Sequence, residues 1–155
     1  MHRARAGAVL LAVLVSSGAM AQERGREEKL YLQYCGSCHQ PNGKGIPGFF
    51  PPLAGNESVT SEDAEKIQEF LRKIIFGFHG ALVVDDEVYA GTMPPIGIWG
   101  RVNDSEILGL VNFQRNAWGN RARTISAQEL AQARQASDDK PDKLDKPDKP
   151  DKKEP

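Results

Sequence analysis

Cysteine, histidine and methionine are all scarce in this chain of 155 residues, which holds two, three and three of them. Cys35 and Cys38 cannot make a four-ligand zinc site alone; both remaining ligands would have to come from His39, His79 or carboxylates at unusual spacing. No alternation of apolar and polar residues is long enough to specify a sheet. The apolar run from Ala6 to Ala21 is broken by Ser16, Ser17 and Gly18 and falls short of the ~20 residues of a membrane helix. An excess of one charge is missing too. Residues 22–136 carry twelve Lys and Arg against fourteen Asp and Glu, which offers no basic surface to nucleic acid.

What is present is concentrated in a few places. Cys35-Gly36-Ser37-Cys38-His39 is a C-x-x-C-H pentapeptide, the attachment sequence of c-type haem. Two thiols three residues apart can add across the two vinyl groups of one haem, while the imidazole after the second takes an axial position on the iron. A lone disulfide and a thioredoxin-like redox pair are the competing readings. An oxidising compartment would favour the first, but haem addition consumes both thiols. The second belongs at the start of a helix in a βαβ context, which the flanking sequence does not provide.

Both ends differ in character from the middle. Residues 1–21 read as a bacterial secretory signal peptide, with His2, Arg3 and Arg5 as a basic start, Ala8 to Val15 as an apolar core and Ala19-Met20-Ala21 as a cleavage signal. The mature chain is therefore expected in the periplasm, beginning near Gln22, with an uncleaved anchor as the alternative. Residues 137–155 repeat Asp-Lys-Pro triplets around a single large apolar residue, Leu144. They are expected to be a disordered, solvated tail biased to polyproline II, with a tether or docking tail as the alternative. Between them, residues 22–136 suffice for one domain, small for its own core, to which a covalent haem would add apolar interior.

Helical spacing recurs along this domain. Glu23 to Gly36 reads as a short helix that delivers Cys35 and Cys38. A second helix is expected from a Thr60 or Ser61 cap, with Glu62, Asp63 and Glu65 in its first turn and Ile67, Phe70, Leu71, Ile74, Ile75 and Phe78 on one apolar face. A third is expected from Asn103 or Asp104, carrying Ile107, Leu108, Leu110, Val111, Phe113 and Trp118, to a stop at Gly119-Asn120. Ser126 to Glu129 is a capping-box pattern that opens a further short helix in an extension spanning 121–136. Val83, Val84, Val88 and Tyr89 around Asp85-Asp86-Glu87 read as a small hairpin or an irregular loop. The fold class expected is all-α: three core helices around one haem, with long Gly/Pro-rich connections at 40–57 and 91–101.

Removal of Met1 and Met20 with the signal leaves Met93 as the one methionine, and His79 as the one histidine besides His39. The second axial ligand is thus a choice between these two, apart from lysine, water or an open position. Met93 sits in Tyr89-Ala-Gly-Thr-Met-Pro-Pro95, where glycine permits a tight path and two prolines stiffen the chain beyond the methionine. A methionine before Pro-Pro in a loop is a poor core filler. His79 reads instead as a histidine at the end of the second helix, meeting terminal carbonyls. Met93 is therefore preferred, since His/Met ligation is the recurring electron-transfer arrangement.

With these segments in hand, the chain resembles the class I c-type cytochromes, in particular small bacterial monohaem domains that occur alone or fused to periplasmic dehydrogenases and copper nitrite reductases. The resemblance covers about residues 26–120 and rests on the Cys35 to His39 pentapeptide, GKGIPG at 43–48, FPPLAG at 50–55, His79-Gly80, YAGTMPP at 89–95 and RNAWGN at 115–120. It implies that the Pro51 carbonyl, twelve residues past His39, accepts the second ring N–H of that histidine. It also implies that Leu53 packs on the porphyrin and that the first and third helices cross near Tyr31 and Val111/Phe113. Trp99 and Arg101 stay open between a haem propionate and loop packing.

The function expected is single-electron transfer between redox partners through a haem iron ligated by His39 and Met93, with Cys35 and Cys38 as the covalent anchors and no catalytic residue. The partners expected are periplasmic redox proteins: a dehydrogenase, a nitrite reductase or a terminal oxidase. Two alternatives stand beside it, a dedicated haem subunit of a periplasmic oxidoreductase and a haem enzyme or gas sensor with an open sixth site. Amino-terminal sequencing of the exported protein should read Gln22-Glu23-Arg24; a sequence that begins upstream of residue 21 would establish the uncleaved anchor instead.

Overall fold

The computed structural model describes residues 22–98 and 102–135. Residues 1–21, read as a secretory signal, lie outside the described residues, as do Trp99, Arg101 and the Asp/Lys/Pro-rich residues 137–155. Residues 22–34 are helical (α1), the chain turns at Cys35, and Gly36–His39 forms a single further turn (α2). The amides of Cys35 and His39 still bond four residues back, to Tyr31 O at 2.8 Å and Cys35 O at 2.9 Å, so the haem pentapeptide is wound as a helix end. The one helix expected over 23–36 is thus two pieces, and the break falls on the first cysteine.

A short helix that the spacing did not suggest, α3 (Glu57–Thr60), is capped by Asn56, whose side chain accepts from Ser58 N at 2.8 Å. It moves the start of the next helix. Thr60 is spent on α3, where its hydroxyl donates back to Asn56 O, and Ser61 Oγ accepts from Asp63 N. The cap of α4 (Ala64–Phe76) is therefore Asp63, neither Thr60 nor Ser61; its carboxylate accepts from Glu65 N and Lys66 N at 3.0 Å each. A carboxylate suits that place, facing the positive end of the helix dipole. Ile67, Phe70, Leu71, Ile74 and Ile75 are buried along one face as expected.

After Gly77 the chain turns into a two-stranded antiparallel sheet, β1 (Phe78–Val84) and β2 (Glu87–Met93), paired from Phe78↔Met93 to Val83↔Val88 and Val84↔Glu87. The small hairpin or irregular loop expected near residue 83 is seven residues long on each strand. Its reach was hidden because glycine stands at Gly80 and Gly91, while Val83 and Val88 face solvent and cancel the alternation. Phe78 consequently belongs to β1 and not to the apolar face of α4. Asp85 and Asp86 both take positive φ (51° and 64°), the conformation that lets a two-residue turn follow the twist of its strands.

Helix α5 (Asp104–Asn116) opens on a full capping box: Asn103 Oδ1 accepts from Glu106 N, and the Glu106 carboxylate accepts from Asn103 N. It ends short of the Gly119-Asn120 stop expected. Trp118 nonetheless joins Tyr31 and Phe113 in one aromatic cluster, with ring centroids 4.8 to 5.6 Å apart, which locks α1 against α5 where the family resemblance implied their crossing. Arg115 is wholly buried; its Nη1 donates to Val59 O at 2.6 Å and its Nε to Arg123 O at 2.9 Å, tying α3 and the following extension to α5.

The extension closes with α6 (Ala127–Gln135), which lays Leu130 and Ala133 into the core against α4 and α5. Ser126 and Glu129 cap it reciprocally, and Arg123 pairs with the same carboxylate at 2.7 Å. These bonds, Arg123 foremost, hold the Glu129 carboxyl down to about 2 against an ordinary 4.5. A carboxylate with a depressed folded value stabilises above its ordinary value and loses that contribution as pH falls toward the folded one. Urea unfolding of Glu129→Gln should therefore show a smaller loss of stability than wild type between about pH 4.5 and 2, and parallel acid profiles would refute this.

Candidate haem site

The inner faces of α2, the 46–51 loop, the end of α4 and the hairpin enclose one cavity of about 320 Å³. Cys35, Cys38, His39 and Met93 all line it, so the residues that the sequence singled out separately come together. Apolar side chains make most of the remaining wall, Phe50, Phe78, Leu82 and Ile96 among them.

His39 is held through one of its two ring nitrogens. Its Nδ1 donates to Pro51 O at 2.9 Å, which leaves Nε2 with the free lone pair. Burial lowers the pKa of His39, and the Pro51 hydrogen bond opposes that shift in part, so the ring is kept neutral, the form that binds a metal. The carbonyl is fixed by a close backbone approach at Gly45 (φ +62°), where a Cβ would stand 2.2 Å from Phe50 O and 2.6 Å from Pro51 O. Gly45 N also bonds His39 O at 2.9 Å, so the loop closes on the residue it serves. Asn120 braces the segment just beyond, donating to Leu53 O and accepting from Gly55 N.

Cys35 and Cys38 are not joined in a disulfide. Cys35 is buried, and desolvation first, then neighbouring Cys38, pushes its pKa up to about 12. Before haem attachment such a thiol stays protonated at neutral pH, unlike the activated thiolate of a redox C-x-x-C pair.

Met93 is the last residue of β2, not part of the irregular 91–101 connection expected. Its position depends on the end of α4: Gly77 has φ +80°, and a Cβ there would come within 2.6 Å of Met93 O. His79 is the second residue of β1, exposed, sharing a 2.9 Å hydrogen bond with Thr92 Oγ1 across the strands. The helix-end role expected of His79 fails because α4 stops at Phe76, and His79 is not among the residues that line the cavity. Leu53 lies in the buried core and outside the cavity lining; Phe49, Phe50 and Pro51 take that wall.

Sequence reasoning missed Lys73. It is a cation on the cavity wall, ion-paired to Glu69 one helical turn earlier at 2.6 Å and lying 5.5 Å from the Phe78 ring centroid. The Glu69/Lys73 spacing on a helix was the available signal.

Two thiols one turn apart, a neutral imidazole with one nitrogen committed to a carbonyl, and apolar walls fit a covalently held haem, and they define a c-type haem protein. Residues 24–118 match the model of the family described as Cytochrome c, and the chain belongs to that family. It is similar to "Cytochrome c-552" of Thermus thermophilus, 36% identical over 112 residues that make up 72% of this chain and 72% of the relative. It is also similar to the "Alcohol dehydrogenase (quinone), cytochrome c subunit" of Gluconobacter oxydans, 33% identical over 107 residues, 68% of this chain but 21% of that protein. The "Gluconate 2-dehydrogenase cytochrome c subunit" of Pantoea cypripedii is 31% identical over 108 residues, 68% of this chain and 23% of its own length. The protein is accordingly an electron-transfer protein that carries covalently bound haem c and its iron.

Gly45→Ala should destabilise the holoprotein by more than about 2 kcal/mol in urea unfolding, because left-handed strain of about 1 kcal/mol adds to the contact with two backbone carbonyls. A loss below about 1 kcal/mol would mean that the Pro51 carbonyl is not held by this approach.

Proposed function

We propose that this protein is a periplasmic monohaem electron carrier without catalysis of its own, its iron held between His39 and Met93, and that it exchanges electrons with a dehydrogenase. One observation carries the ligand assignment: Met93 lines the same cavity as Cys35, Cys38 and His39. Residues 1–21, read as a secretory signal, support the compartment. Among the described residues, no helix is long and apolar enough to cross a membrane.

The haem supplies a one-electron ferric/ferrous couple. His39 would hold the iron through Nε2, while Pro51 fixes its ring and raises its basicity. The Met93 thioether, a soft ligand, would favour the ferrous form and raise the potential. Phe50, Phe78 and Leu82 keep water from the site and penalise the extra charge of the ferric form. With His39 and Met93 both holding the iron, oxygen or peroxide would find no open place, which would favour electron transfer over substrate chemistry. Phe49 lines the cavity yet is 72% exposed, an apolar contact for the small, brief interface usual in redox encounters.

A second reading, a dedicated haem subunit of an oxidoreductase, is favoured by the relatives whose names are those of dehydrogenase cytochrome subunits. This chain spans about a fifth to a quarter of their length. A large catalytic chain that co-purifies in constant ratio would select that reading over a free carrier.

The oxidised protein should show the near-infrared iron–thioether charge-transfer band, and Met93→Ala should lose it, fall in reduction potential and bind carbon monoxide when reduced. Absence of the band in wild type, together with carbon monoxide binding, would overturn the His39/Met93 carrier and turn attention to an enzyme or gas sensor.

A further inference from the structure

Helix α6 lies beyond the residues that match the family, yet one of its side chains reaches the segment that leads away from Met93. Arg134, in the last turn of α6, donates through Nη1 to the carbonyl of Gly97 at 3.2 Å. Its Nε donates to Asp104 Oδ1 at 2.8 Å, and Nη2 reaches the same oxygen, at the first turn of α5. The N–H of Gly97 donates to Ile75 O at 3.1 Å. Both backbone groups of Gly97 are therefore held, one by α4 and one by α6.

Only Pro94, Pro95 and Ile96 stand between this tie and Met93. The prolines have fixed φ, and Ile96 is buried in the core. On its other side Met93 leads back into the ladder, where it pairs with Phe78, and its carbonyl rests against Gly77. A point fixed so soon after Met93 limits how far the segment can swing. The anchor is itself secured: Leu130 and Ala133 are buried, and Gln68 Nε2 on α4 donates to Glu129 O at 3.1 Å.

We infer that Arg134 is a positioning residue for Met93, its guanidinium pinning Gly97 to α6 and α5 and so holding the thioether where the iron needs it. This rests on the His39/Met93 reading. A bound thioether and a swung-out one are two populations, and an outside ligand binds only the second, so its apparent affinity reports how often the methionine leaves. The planar fork of arginine serves a carbonyl and a carboxylate together, which a lysine ammonium matches poorly.

The test is imidazole titration of the oxidised holoprotein, followed by bleaching of the thioether band, with far-UV circular dichroism melts as a record of overall stability. Loss of a charge-assisted hydrogen bond should let R134Q bind imidazole about tenfold more tightly than wild type. R134K should fall between the two, and it supplies the readout if R134Q does not retain haem. R123Q loses the Glu129 pair on the same extension and touches nothing near Gly97, so its imidazole affinity should equal that of wild type. Wild-type affinity in both Arg134 variants, or an equal rise in R123Q, would overturn the inference while the wild-type band keeps the ligand reading intact. A wild type without the band would overturn both.

Discussion

The hydrogen bond from His39 Nδ1 to Pro51 O is the constraint around which the rest of this structure is arranged. A neutral imidazole can offer one nitrogen to iron only if the other carries the proton, and a carbonyl at 2.9 Å decides which. Every element nearby serves to hold those two groups in place. Gly45 lets the loop close onto the Pro51 carbonyl, and Asn120 ties the chain beyond it to the end of α5. The cluster of Tyr31, Phe113 and Trp118 fixes the helix that ends in the pentapeptide, and the Trp118 indole donates to Pro41 O in the loop just past His39.

The two sides of the cavity are built differently. The histidine side is part of the aromatic core and is linked to the first and fifth helices by buried side chains. The methionine side is a hairpin wall, joined to the body through Gly77 at one end and through Gly97 at the other. An apolar wall of this kind needs a partner to cover its inner face, and the covalently attached group fills that role. A small domain would thereby gain apolar interior from its cofactor in addition to the core made by its own side chains.

The chemistry of the site was more legible in the sequence than its architecture. The pentapeptide and the isolated Met93 are local or countable, the step to Pro51 followed from the family resemblance, and Cys35, Cys38, His39, Pro51 and Met93 meet at the cavity. Capping was legible where one residue had a single role, as at Asn103 and Ser126, and misleading where Thr60 served an unexpected earlier helix, leaving the cap to Asp63. The hairpin could not be seen in full because Gly80 and Gly91 interrupt it and the exposed Val83 and Val88 cancel the alternation of apolar and polar residues. His79 followed from the same blindness: once the strand begins at Phe78, that histidine belongs to an outer face. Lys73 offered only its spacing from Glu69, and Arg134 offered nothing, since charged residues on helices are usually solvated and tertiary contacts are what set these two apart.

The two-stranded wall also bears on how the protein meets copies of itself. Each strand of β1 and β2 has one ladder edge without a neighbour among the described residues, and Val83 and Val88 are exposed on its outer surface. Open edges with apolar flanks invite stacking of one chain on the next. Here the turn between the strands is Asp85-Asp86, followed at once by Glu87. Any second hairpin that added itself in parallel register would set carboxylates against carboxylates at the tip, so the same turn that lets the strands pair within one chain discourages their growth into a fibre.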